Sequence, residues 1–315
     1  VEDYTCELVD HRNRKSYEDC GYTFESGWQA CNLSTINASK LNSAHDLKEA
    51  SRLAAIMGTM QSAYTEVGYL TPISQKIIKR ESLLGVSLCG IMDAPNVCLN
   101  AESLQVGAET VLRTNQEIAK VLGIPKASRT TCVKPEGTSS IVLESSSGVH
   151  PHHAKRYLRR VNANLDEPIF RAFYEENPQA VEDSVWGSDK VVAFAIEAPK
   201  DALVKADLSA TEFMSKSKIV YENWVVPGTR KERLQGATHN VSITVTVKDD
   251  EWEDVQSYLW ENRSCFCGVS FLGSSGDYDY PQAPLQAVKQ PTEKSTDAEV
   301  KAWDFWNRLK RTVKP

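Results

Sequence analysis

The sequence predicts an α/β fold, on three observations. Short apolar runs bounded by turn residues alternate along the chain with longer stretches of helical periodicity. One run, Leu83-Leu84-Gly85-Val86-Ser87-Leu88-Cys89, is apolar enough for a strand covered on both faces. A long amphipathic stretch, residues 101–122, closes on Gly123 and Pro125, which stop a helix.

Taken in order, residues 1–30 are polar and irregular and read as loop, with a charged run over 10–15. Over 46–64 the apolar residues Leu47, Leu53, Ala54, Met57 and Met60 recur at helical spacing, and Asp46 suits the N-cap. A second helix is expected over 71–82, before the strand at 83–89. After the helix at 101–122 comes another buried strand, 128–133. Further helices are expected over 168–176, 211–224 and 251–261, and strands over 191–196, 239–247 and 266–272. Residues 150–160, the densest basic stretch, read as a solvated helix face. From Gln286 on the chain reads as a polar tail, with a helical segment at 298–309 carrying Trp303 and Trp306. No internal repeat appears at solenoid periods.

Composition narrows the function classes. With 315 residues, 41% hydrophobic and 25% charged, the chain matches an ordinary globular protein able to bury a sizeable core. A net charge of −6 argues against a nucleic-acid footprint, which needs a basic stripe. No run approaches the ~20 apolar residues that span a bilayer, so no membrane partner is expected. The first residues, Val1-Glu2-Asp3-Tyr4-Thr5-Cys6, lack the blocks of a signal peptide, and a cytoplasmic location is expected. Eight cysteines, at 6, 20, 31, 89, 98, 132, 265 and 267, then read as thiols rather than a disulfide framework. Their spacing makes no zinc site, so redox or radical chemistry is the expectation. Cys265 and Cys267 are expected on one face of a strand, packed in the core.

The strongest chemical signal follows the strand at 128–133. There Lys134-Pro135-Glu136-Gly137 turns into Thr138-Ser139-Ser140. Pro removes a backbone donor, Gly permits close backbone approach, and a helix opening on hydroxyl residues presents N–H groups and side-chain donors. The chemistry is that of a phosphate cradle formed by Pro135, Gly137, Thr138, Ser139 and Ser140; the plain alternative is an N-cap. His152 and His153 read as surface residues, and the segment 277–280 as a loop.

The stretch Arg129-Thr130-Thr131-Cys132-Val133-Lys134-Pro135-Glu136-Gly137-Thr138, followed by Ser147-Gly148-Val149-His150-Pro151, resembles a segment of the class II ribonucleotide reductases. Gly27-Trp28-Gln29-Ala30-Cys31-Asn32-Leu33-Ser34 resembles the family's C-N-L segment. Residues 83–87, 239–245 and 268–272 with Gln282-Ala283-Pro284 agree in order, over roughly residues 20–287, and are closest to phage-type versions. The resemblance implies the carboxy-terminal half of a ten-stranded α/β barrel. Residues 1–45 would be the catalytic-loop region with the C-N-L segment, 46–286 half of the barrel with the phosphate-binding turn, and 287–315 the tail. It further implies adenosylcobalamin as cofactor, a ribonucleotide substrate, an external thiol reductant and an amino-terminal companion chain. Cys31 would be one member of the reducing dithiol. The family's radical cysteine stands in N-P-C-x-E, a string this sequence lacks; Cys6 with Glu7, Cys20, or a residue of the companion chain are the alternatives. A catalytically inactive nucleotide-binding or scaffold protein that kept the barrel is the alternative function.

Overall fold

A computed structural model describes residues 30–230, 238–277 and 281–314. Strands β1 to β8 are Asn32–Asn37, Leu84–Cys89, Arg156–Ala163, Val181–Asp183, Lys190–Glu197, Ile243–Val247, Val269–Gly273 and Leu285–Ala287. Helices α1 to α9 are Ala44–Ser62, Pro72–Glu81, Pro95–Cys98, Ala101–Leu122, Ser139–Leu143, Pro168–Glu176, Ala210–Val220, Trp252–Glu261 and Asp297–Thr312. The chain divides into two units: Val1–Pro151 with Leu208–Gly273, and His152–Asp207 with Ser274–Pro315.

The first unit is built on parallel pairing. β1 pairs with β2, Asn32 opposite Leu84 and Asn37 opposite Cys89. β2 is bridged in parallel to the next extended segment at Val86–Thr131, and that segment to the next at Val133–Val241. β6 then pairs in parallel with β7, Ile243 opposite Val269. Five extended segments therefore follow one another in space in sequence order. The helical crossovers between them are what parallel strands require. All six residues of β2 are buried, as its unbroken apolar run demands of a strand with neighbours on both sides.

Local chemistry sets the helix ends. Ser43, not Asp46, caps α1: its hydroxyl accepts the Asp46 N–H at 3.2 Å. Asp46 instead accepts the Asn42 N–H at 3.0 Å, which holds its carboxyl below the usual range. α2 starts on the Thr71 cap with Pro72 at its first position, and closes on Ser82 in the left-handed region at φ 45°.

The expected strand at 128–133 is extended but not regular. The Thr130 N–H and hydroxyl both donate to the Gly228 carbonyl, at 2.9 and 2.7 Å, while the Thr130 carbonyl accepts the Val86 N–H of β2 at 2.9 Å. The helix expected over 211–224 ends at Val220 and widens into a π turn over Tyr221–Val225. Cys265 ends a 3-10 turn and Cys267 lies before β7, so neither stands on the expected strand face. Both are half-buried rather than core.

The second unit is an antiparallel sheet in the order β4-β5-β3-β8. Its β3 overturns the expected basic helix face over 150–160. Tyr157 and Leu158 are buried, and the arginines around them have cross-strand partners: Arg156 with Glu197 at 3.0 Å and Arg160 with Glu182 at 3.1 Å. Helix periodicity was read where charges are held by neighbouring strands. The expected polar tail is also corrected. Leu285–Ala287 pairs with β3, and α9 buries Ala302, Trp306 and Leu309 against Leu158, Ala193 and Val288. The Trp306 indole N–H donates to the Ile196 carbonyl at 3.1 Å. His152, expected at the surface, is buried with Nδ1 3.1 Å from the Tyr157 hydroxyl, and His153 pairs with Asp277 at 2.7 Å. Among the described residues no helix is long and apolar enough to cross a membrane.

Candidate functional site

Cys31 stands immediately before β1. Strand periodicity places Cys31, Leu33 and Thr35 on one side of the chain. That side carries two chemical groups at its two ends. At one end the Cys31 sulfur lies 3.8 Å from His239 Nε2. At the other, the Thr35 hydroxyl donates to Glu136 Oε1 at 2.8 Å, within the turn that sequence reasoning assigned to phosphate. Four residue steps separate them, about 13 Å at ~3.3 Å per step.

Gly85 is what allows sulfur to reach this place. A Cβ at Gly85 would stand 2.9 Å from Cys31 Sγ, 2.9 Å from Cys132 Sγ and 2.6 Å from a Leu33 methyl. The two sulfurs thus lie over one glycine, Cys31 from the segment on one side of β2 and Cys132 from the other. The remaining described cysteines read differently. Burial pushes the Cys98 thiol up to about 12, and raises Cys89 and Cys265 as well, all against thiolate formation.

The turn itself is strained and polar. Glu136 has φ 57°, a conformation uncommon for a residue with a side chain. It is 4% exposed, with Lys134 Nζ 3.5 Å from Oε1. Its Oε2 makes no hydrogen bond among the described residues. Sequence reasoning passed over Glu136; the signal was a carboxylate inside a turn otherwise suited to anions. Pro135, Gly137 and Thr138 are exposed, Ser139 is half-buried, and a Cβ at Gly137 would meet nothing within 4 Å. No side chain caps the start of α5. Ser140 departs from its expected role: it is buried, its hydroxyl donates to the Gly137 carbonyl at 3.1 Å and its N–H to Glu136 at 2.9 Å. Ser140 shapes the turn rather than facing a ligand. Cys6, Glu7 and Cys20 lie outside the described residues.

His150, from the Gly-Val-His element, ties the turn's sequel to β6. Its Nδ1 donates to the Ser147 carbonyl and its Nε2 accepts the Thr244 N–H, both at 2.9 Å. The bond accepted by Nε2 requires the neutral ring, and burial lowers its pKa. The sign follows: the unfolded chain takes up the proton first, so stability is lost as pH falls below the ordinary His value of about 6.5. Urea midpoints measured from pH 8 to pH 5 should fall, and His150→Gln should flatten that slope. An equal slope in the variant would assign it elsewhere.

No family model matches the chain. In sequence it is 24% identical, over 90% of its length and 40% of the relative's, to the adenosylcobalamin-dependent ribonucleoside-triphosphate reductase of Levilactobacillus brevis. It is 26% identical to the enzyme of that name from Euglena gracilis, over 74% of this chain and 31% of that one. A probable enzyme of the same kind from Dictyostelium discoideum is 24% identical over 74% of this chain and 30% of its own. The chain thus spans well under half the length of the curated relatives it matches. In structure it is similar to a B-12 dependent (class II) ribonucleotide reductase, with a TM-score of 0.66 and 19% identity over 91% of this chain and 43% of that one. Its sequence relatives are adenosylcobalamin-dependent ribonucleoside-triphosphate reductases at low identity, and its fold is similar to that of a class II ribonucleotide reductase.

Proposed function

We propose that this chain is the carboxy-terminal half of a ribonucleotide reductase barrel, of phage type, and reduces ribonucleotides together with an amino-terminal companion chain. The observation that carries the reading is the single side of β1, which joins the Cys31 thiol at one end to the Glu136 turn at the other. Five parallel segments in sequence order support the half-barrel. Thr138 and Ser139 offer hydroxyl donors to the substrate phosphates at the start of α5, with Pro135 and Gly137 leaving the approach open. Lys134 sets a positive charge beside the Glu136 carboxylate where an anion is to be received. Cys31 supplies one of the two thiols whose oxidation reduces the ribose, and an external thiol restores it.

The cofactor in the relatives' names is adenosylcobalamin, which supplies the radical in this reading. Among the described residues no group of three His, Cys, Asp or Glu side chains is placed to hold a metal ion. Cys6, with Glu7, and Cys20 lie outside them. No step here is routed through the cofactor.

The test combines this chain with the companion, adenosylcobalamin, a dithiol and a ribonucleoside triphosphate, and measures deoxyribonucleotide formed. Product supports the reading; nucleotide binding without product in every combination favours the inactive scaffold. In the same preparation Thr138→Ala with Ser139→Ala should weaken nucleotide binding by about 1–3 kcal/mol, the scale of hydrogen bonds to a charged group. Titration calorimetry would read this as roughly a five- to 150-fold rise in Kd. Unchanged affinity removes the phosphate assignment.

A further inference from the structure

His239 precedes β6, and both of its ring nitrogens have partners. Nδ1 lies 3.0 Å from the Thr131 carbonyl oxygen. A carbonyl only accepts, so Nδ1 carries a hydrogen, and in the neutral ring Nε2 holds a lone pair. That lone pair faces Cys31 Sγ at 3.8 Å, a sulfur hydrogen-bond distance. A thiol beside an imidazole whose tautomer is fixed by a backbone carbonyl is the arrangement that turns a cysteine into a nucleophile. Sequence reasoning singled out His239 only as part of a strand.

We propose that His239 is the proton acceptor and donor for Cys31 in thiol–disulfide exchange. The inference rests on the reading of Cys31 as a redox thiol and adds the group that governs its proton. In the attacking direction the Cys31 proton passes to Nε2. The thiolate then attacks a disulfide, one S–S bond forms as another breaks, and the departing sulfur takes the proton from the imidazolium. Cys31 is oxidised and the departing sulfur reduced. In the reverse direction, when an external thiolate attacks a disulfide at Cys31, the imidazolium protonates the leaving Cys31 sulfur. The same ring thus serves oxidation of the thiol and its regeneration.

The titratable groups facing this pair are few among the described residues. Cys132 brings its sulfur over the same glycine. Cys267 Sγ lies 3.8 Å from the His239 carbonyl oxygen. Tyr221 reaches the neighbouring Thr238 hydroxyl at 3.0 Å, and burial holds its phenol above the ordinary range, so it stays neutral at neutral pH.

The test uses the whole chain without nucleotide, and 4,4′-dithiodipyridine as the disulfide. The rate of Cys31 modification is followed by peptide mass mapping from pH 6 to pH 9.5. In the parent chain the rate should change less than threefold between pH 6.5 and pH 8. In His239→Gln it should rise about tenfold per pH unit toward the ordinary thiol value of about 8.5. At pH 6.5 it should be at least tenfold slower than the parent, and the two should converge above pH 9. Identical profiles overturn the proposal. If the variant unfolds, shown by modification of buried Cys98, the parent decides alone: a rate climbing tenfold per unit from pH 6 to pH 8.5 overturns it. Failure here leaves the redox reading of Cys31 standing, because that reading is judged by turnover and not by proton control.

Discussion

Cys31→Ser is expected to abolish multiple-turnover ribonucleotide reduction, leaving product at the level of a reaction without enzyme. The reason is stoichiometric. Removing one hydroxyl from a ribose takes two electrons, and one dithiol becoming a disulfide supplies them. Serine keeps the size and the hydrogen bond but cannot form that disulfide. The sheet argues against Cys132 as the partner thiol. Cys132 Sγ shares the space over Gly85 with Cys31 Sγ, yet the two residues stand on segments flanking β2. Two strand spacings are roughly 9–10 Å, while a disulfide needs Cα atoms within about 7 Å. As the family resemblance implies, the proposed reading places the partner in the companion chain. A single turnover without reductant should leave Cys31 in an interchain disulfide, seen as a covalent heterodimer on a non-reducing gel and absent in Cys31→Ser. Full turnover in Cys31→Ser would sink the thiol assignment. A Cys31–Cys132 crosslink in the mass map would instead move the partner into this chain.

What was legible in the sequence, and what was not, divides by physical cause. β2 and α4 were legible because a doubly buried strand must be apolar throughout and a surface helix must repeat every three to four residues. β1 was not read as a strand: Asn32-Leu33-Ser34-Thr35-Ile36-Asn37 has polar residues that serve the site, with the Asn32 amide on Leu83 and the Thr35 hydroxyl on Glu136. β3 was misread because its arginines are held by carboxylates from distant segments, which no local pattern reveals. The turn proposed for phosphate was visible as Pro, Gly and hydroxyls in a row. Its inward-facing Glu136 and Ser140 were not, because burial of a polar side chain is decided by the fold around it. His239 is the sharpest case: it lies 208 residues from Cys31, and only the parallel order of the strands brings the two together.

The largest stability effect is expected at Trp224, which the sequence marks only as the end of a helix. Its side chain is fully buried, and the π turn over Tyr221–Val225 sets it against the centre of the parallel sheet. The indole N–H points at the Val86 carbonyl at 3.2 Å and the Cys132 carbonyl at 3.1 Å, so one group bridges β2 and the segment beside it. The Trp224 carbonyl accepts the Thr131 hydroxyl at 2.6 Å, which fixes the turn to that same segment. On its other side α4 comes close because residue 107 is glycine; a Cβ there would stand 2.9 Å from the ring. Trp224→Ala should cost about 3–5 kcal/mol, the scale of an aromatic removed from a close-packed core. Trp224→Phe keeps much of the packing and loses the bridge, for about 1–3 kcal/mol. Urea unfolding of the chain should show both as lower midpoints with unchanged slope. Because the Cys132 carbonyl is held by this ring, Trp224→Phe should also disturb the neighbourhood of Cys31 more than its stability loss alone suggests. A Trp224→Ala cost below 1 kcal/mol would mean that the sheet does not depend on this bridge.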